Sequence, residues 1–223
     1  MRLFLLVIIY FLISATLMGQ PLDHKLGSSI GFSSETYNQK VSGILNNAQG
    51  DFSGTLQKSS LSISGFYDLS YVEISVQIDK QVIQTHEIQT GTGGFSSSSK
   101  DINIDSQEVD IIIGAKLKYP FDFRYFSFYP VVGYEYRLNI SASGKESLTD
   151  QQKSDMNDHF LDLGLGIDIP LGVGVGIRSS IYSCYNLTPT ITKAKNLADS
   201  LGLKFSDYDY KVVGLVGFYY KLP

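Results

Sequence analysis

Charged residues recur at regular intervals inside otherwise apolar and glycine-rich stretches of this chain: Glu108 and Asp110, then Lys116, Glu135 and Arg137, Asp162, Arg178 and Lys211. Carboxylates held beside a base could carry general acid–base chemistry. Each of these charges alternates with aliphatic or aromatic neighbours, however, and alternate residues of a strand share one face. Opposite charges gathered on a face hidden from water must pair simply to be solvated. We read them as an ion-paired interior with no catalytic residue among them. Asp101, Asn103 and Asp105 set oxygen ligands at the odd positions of a calcium loop. Ser106 stands where that loop needs its turn glycine, and Ile112 where it needs the bidentate glutamate. That leaves at most a loose, weak cation site at a loop end, and no metal ligand is assigned. His24, His86 and His159 fall before the first strand, in the second long connection and at the start of the sixth strand. Only His159 could work with a serine on lipid, and the sequence names neither the serine nor an acidic partner for it. The GTGG run at 91–94 lacks the strand–loop–helix setting of a phosphate cradle and reads as a loop tip. Cys184, the single cysteine, excludes an internal disulfide and any multi-cysteine metal site, and reads as a small buried side chain. No cofactor-binding residue is expected.

The elements that must position these charges are strands. Residues 1–19 carry one basic residue, the apolar run Leu3–Ile13 and a small-residue exit, the layout of a secretory signal peptide removed after Gly19. A single β-domain is expected over 20–223, and no later segment is apolar for long enough to cross a membrane as a helix. Of the 223 residues, 43% are apolar and only 18% charged, below the roughly 25% of soluble domains. The net charge of -4 gives nucleic acid no electrostatic footing. Val72, Ile74, Val76 and Ile78 alternate with Glu73, Ser75, Gln77 and Asp79, a period of two with one aliphatic face. The same alternation runs through Leu26–Phe32, Ser60–Tyr67, Glu108–Lys118, Phe126–Asn139, Phe160–Asp168, Val173–Tyr182 and Tyr208–Tyr220. Eight strands follow. Turns are expected at 69–70, 120–124 and 169–171, and longer polar connections at 36–58, 81–105, 141–156 and 186–206, with a short helix over Thr192–Leu201.

Long and short connections in alternation are the pattern of an up-and-down barrel that crosses the outer membrane, with short periplasmic turns and long extracellular loops. A soluble barrel carrying a hydrophobic ligand would turn the aliphatic face inward instead. Two features favour the membrane. Charges of both signs and glycines crowd the polar face, and Tyr67, Tyr119, Phe126, Tyr136, Tyr210 and Tyr220 sit near strand ends on the apolar one. With a turn at 120–124 pairing Tyr119 with Phe126, Glu108 falls opposite Arg137 with Asp110 on the diagonal. With a turn at 169–171, Asp162 falls opposite Arg178.

The hairpin GFYDLSYVEISV (65–76), the strand and turn IGAKLKYPF (113–121), the strand YPVVGYEYRLNIS (129–141) and the pair FLDLGLGIDIPLGVGVGIRSSIY (160–182) together resemble small outer-membrane β-barrel proteins of spirochaetes. The architecture is similar to that of the OmpX-like eight-stranded barrels. The resemblance covers most of the chain after residue 19 and implies an all-β, eight-stranded antiparallel transmembrane barrel in the bacterial cell outer membrane. It implies a final strand ending on an aromatic residue, whereas Lys221-Leu222-Pro223 follow Tyr220 here. The expected role is non-enzymatic: structural, or a surface interaction carried by the loops with an extracellular protein or host ligand. Outer-membrane lipid is the expected surrounding partner, nucleic acid is not one, and the chain is expected to be a monomer. The alternatives are an outer-membrane lipid-modifying enzyme and a soluble periplasmic carrier.

Overall fold

The computed structural model describes residues 23–45, 48–92, 101–103, 107–143, 157–188 and 204–223. The expected signal segment, Gly93 and Gly94 of the GTGG run, Asp105 and the helix expected over 192–201 lie outside them. The alternating stretches form eight strands: β1 (His24–Leu45), β2 (Ala48–Leu69), β3 (Val72–Thr92), β4 (Gln107–Lys118), β5 (Ser127–Ser143), β6 (Asp158–Gly172), β7 (Val175–Asn186) and β8 (Lys204–Lys221). Each pairs antiparallel with its neighbour in the chain. β8 returns to pair with β1 from Lys25↔Lys221 to Ser42↔Lys204, so the sheet closes. Two short pieces flank it: Asp101–Asn103 on β3 and Phe121–Asp122 on β5.

Closure sets the faces. Ile74, Val76 and Ile78 are about half exposed on the outside, while Ser75, Gln77 and Asp79 between them are buried inside. Leu161, Leu163, Leu165 and Ile167 likewise point out, and Asp162 and Asp168 point in. The aliphatic face is therefore outside, the reverse of a soluble ligand-carrying barrel. Val72, at the start of β3, is the exception among the expected outward residues and is 2% exposed. Tyr67, Tyr119, Phe126 and Tyr220 mark the short-turn end of the outer face; Tyr136, Tyr208 and Tyr210 mark the other. From Tyr210 to Tyr220, strand residues rising about 3.3 Å each and tilted about 40° climb roughly 25 Å.

The turns correct the expected registers. The first hairpin turns at Ser70-Tyr71, with Asp68 opposite Glu73. In the second, Phe121–Asp122 pairs back on Ser127–Phe128 and the tip is 123–126, not 120–124; the Phe123 amide donates to the Phe126 carbonyl and the two rings stack. Arg137 consequently faces Ile112, not Glu108, and Asp110 faces Asn139. The third tip is Val173-Gly174, not 169–171, with φ of 52° and 78°. A two-residue turn with both φ positive matches the twist of the strands it joins, although a β-branched residue seldom adopts that conformation. Pro170 lies inside β6 beside a bulge. Arg178 therefore faces Asp168, while Asp162 faces Cys184.

Two of the expected long connections prove to be strand for much of their length. β1 and β2 run 22 residues each and stay in register to Leu45↔Ala48, so most of 36–58 is hairpin. β3 runs 21 residues and takes in His86. A membrane-crossing strand needs about 9–11 residues. β1, β2 and β3 rise far beyond the apolar band.

Candidate functional site

The lumen is where the chemistry-bearing residues meet, in three tiers. Nearest the short turns, Arg178 on β7 is the hub. Its Nε donates to Asp168 Oδ1 at 2.7 Å, Nη2 to Asp168 Oδ2 at 2.6 Å and Nη1 to Glu73 Oε2 at 2.6 Å, while Nη2 also reaches Asp68. The guanidinium lies 4.3 Å over the Phe66 ring. Lys118 pairs with Asp68, Lys25 donates to Asp168 at 2.9 Å, and the Tyr129 hydroxyl donates to the same carboxylate at 3.1 Å. A cavity of about 360 Å³ opens below this tier at the short-turn end, lined partly by Lys25, Tyr71 and Asp122.

The middle tier holds Lys116 against Glu135 at 2.9 Å and Lys211 between Asp79 at 3.4 Å and Glu135 at 3.8 Å. Lys116 also lies 4.4 Å from the Tyr182 ring centre. Asp162 and Cys184 complete it, both fully buried. In the upper tier Arg137 grips Glu35 through Nη1, at 2.7 Å to each oxygen, and reaches Asp158 through Nη2. Lys58 takes Glu108 at 2.7 Å, and Asn139 donates to Asp110 at 2.8 Å.

All eight charges singled out in the sequence thus lie in this interior network or along its upper wall, though the two neighbour pairs expected for Arg137 and Arg178 do not form. Glu35, Asp68, Glu73, Asp79, Asp158 and Asp168, their principal partners, were not singled out. Alternation places several of them on the same face, but most of these contacts cross the lumen between strands that are not neighbours. An arginine held by two or three carboxylates and capped by aromatic rings has no free electron pair to offer as a base. The tiers brace the barrel wall.

The remaining sequence candidates lie apart. His24 Nδ1 and the Tyr67 hydroxyl share a hydrogen bond at 2.7 Å near the short-turn end. His159 sits on the outer face, bonded through Nδ1 to the Tyr134 hydroxyl, with its ring 4.8 Å from that of Tyr136. Its backbone amide donates to Thr188. No serine or carboxylate partner for its ring occurs among the described residues. Asp101 and Asn103 fall in the short strand paired with β3, outside any loop. Ile112 is a buried lumen residue.

No family model matches the chain, and no curated protein matches it. It is similar to solved structures. Neisserial surface protein A aligns at 13% identity over 86% of this chain and 97% of its own, with a TM-score of 0.41. Ail of Yersinia pestis, the attachment invasion locus protein, aligns at 10% identity over 89% of this chain and 100% of its own, with a TM-score of 0.38. The outer-membrane protease OmpT of Escherichia coli aligns at 7% identity over 89% and 97%, with a TM-score of 0.31. The eight-stranded closure itself is read from this chain's own strand pairings.

Proposed function

We propose that this chain is an integral, monomeric barrel of the bacterial outer membrane, delivered there by the signal segment 1–19. Its role is structural or surface-binding rather than catalytic. The observation that carries the reading is the inverted distribution of side chains: bare aliphatic residues ring the outside, and paired charges fill the inside. Water would penalise that exterior, whereas lipid accepts it, and a closed ladder leaves no backbone group unpaired in hydrocarbon. The long ends of β1, β2 and β3 are the natural contact surface, together with the connections after β3, β5 and β7. The partner in this reading is an extracellular protein or host ligand.

Extraction and gel mobility test the membrane reading. The protein is expected in the detergent-soluble fraction of outer membranes, and to migrate differently in SDS gels before and after boiling because the closed barrel resists SDS. Release by salt or carbonate without detergent, with no heat-dependent shift, would refute it. Unchanged lipid modification in a deletion strain is the further expectation that separates a binder from a lipid-modifying enzyme.

A further inference from the structure

The middle tier contains a group of side chains that the bracing role does not account for. Glu135, Asp162 and Cys184 bring ligand atoms within 4.8 Å of one another, all three buried. Asp162 is wholly inaccessible, yet neither of its oxygens has a hydrogen-bond partner, and Glu135 Oε2 also lacks one. The nearest cation to Asp162 is Lys116 at 4.0 Å, and that lysine is already engaged by Glu135 Oε1 at 2.9 Å. Lys211 is shared between Asp79 and Glu135. Two lysines thus face the three carboxylates of Glu135, Asp162 and Asp79, which leaves one buried negative charge unmatched. Glu73, the next acid, is held by Arg178.

We infer that Glu135, Asp162 and Cys184 form a binding site for one divalent cation of the zinc type. A thiolate with two carboxylates is a ligand set that selects a borderline-soft metal over calcium or magnesium. When the metal enters, the Cys184 thiol loses its proton to solvent and the sulfur binds as thiolate. The metal adds two positive charges and the sulfur one negative, which cancels the unmatched carboxylate and makes the tier neutral. Zinc–sulfur and zinc–oxygen bonds of about 2.3 and 2.0 Å set ligand atoms roughly 3.3–3.6 Å apart, so closing on the ion asks for shifts of about an ångström. Asp162 and Cys184 face each other across the β6–β7 ladder, and Glu135 comes from β5, so three consecutive strands supply the ligands. Bound metal would cross-link that wall at mid-height.

The test refolds the full chain without residues 1–19 in detergent, with Zn2+ and a reductant, and measures metal retained by the heat-modifiable, folded species after desalting. About one Zn2+ per chain is expected, falling about tenfold or more in Cys184→Ser and in Asp162→Asn. Co2+ in place of zinc is expected to give a thiolate-to-metal absorption band that Cys184→Ser abolishes. Wild-type protein that folds without retaining zinc would overturn the inference, because a proton shared by Asp162 and Glu135 would then match the charge. Equal zinc in wild type and both variants would overturn it as well, by placing the metal elsewhere.

Discussion

Replacing Arg178 by methionine tests the bracing role most directly. Methionine keeps most of the aliphatic stem but removes the guanidinium, and with it the stack on Phe66 and the bonds to Asp168, Glu73 and Asp68. The three acids do not lose equally. Asp68 keeps Lys118 and Asp168 keeps Lys25, while Glu73 has no other ion pair among the described residues. Removing one partner of a buried pair costs about 3–5 kcal/mol, mostly by stranding the charge left behind. We expect Arg178→Met to destabilise the barrel by about 4 kcal/mol, close to a thousandfold in the folded-to-unfolded ratio. Glu73→Gln alone leaves Arg178 with two carboxylates and an amide oxygen in place of the third, and should cost about 1 kcal/mol. If stranding is the cause, the double variant must recover about 2 kcal/mol of the sum. The chain contains no tryptophan, so unfolding in urea is best followed by the folded band in unboiled SDS gels. A loss below about 1 kcal/mol for Arg178→Met would refute the reasoning. So would losses in the double variant that add within about 0.5 kcal/mol, because the stranded acid would then carry no part of the penalty.

Depth along the outer face gives the second expectation. Val76→Arg, in the middle of the band, should cost about 2–4 kcal/mol and Val82→Arg, beyond it, about 0–1, so equal costs in lipid-reconstituted protein would remove the membrane from the argument. At the seam, a Cβ on Gly31 would strike the Gly214 carbonyl of β8; Gly31→Ala should therefore cost about 1–3 kcal/mol in the same gel assay, and a neutral result would mean that β1 and β8 do not approach this closely. The lumen filled by Tyr129, Phe160, Lys116, Arg137 and Arg178 should pass no steady current in a planar bilayer, and a reproducible porin-sized conductance would contradict the strand count or the packing. Trypsin added to intact cells should spare Arg124, exposed in the turn at 123–126, and reach it only after the outer membrane is opened; cleavage there first, with the lysines between β5 and β6 and between β7 and β8 protected, would reverse the orientation.

Apart from Val72, the face each strand residue takes was legible, and which residue it meets was not. The difference is physical. In an antiparallel ladder, directly opposed residues point to the same side, so alternation permits only registers that differ by steps of two. The turn chooses among them, and each residue by which the turn centre moves displaces the partner by two. Pairing Tyr119 with Phe126 puts the centre two residues before that of the observed tip at 123–126, which moves the partner of Arg137 from Glu108 to Ile112. A turn at 169–171 lies about three residues before Val173-Gly174, which moves the partner of Arg178 from Asp162 to Asp168. Both displacements are even, and the inward set survives them. Neither proline marks a tip: Pro120 lies between Lys118↔Val131 and Phe121↔Phe128, and Pro170 beside the bulge of β6.

The cross-lumen contacts were further out of reach. Arg137 on β5 meets Glu35 on β1, and Arg178 on β7 meets Glu73 on β3 and Asp68 on β2, strands that share no ladder with theirs. Their meeting depends on the stagger accumulated around the closed sheet, which is a property of all eight registers together. An error of two or three residues in a single turn tilts the stack and exchanges the tiers. This also explains why the long β1–β2 hairpin escaped notice. Its upper half, SETYNQKVSGIL paired with AQGDFSGTLQKS, mixes polar and apolar residues on both faces, so its sequence alternates weakly. Where neither face is apolar, the period of two loses its contrast. The hairpin is then held by its backbone ladder and by polar pairs such as Thr55 with Asn38 and Lys40 with Asp51, in the region where the contact surface is proposed.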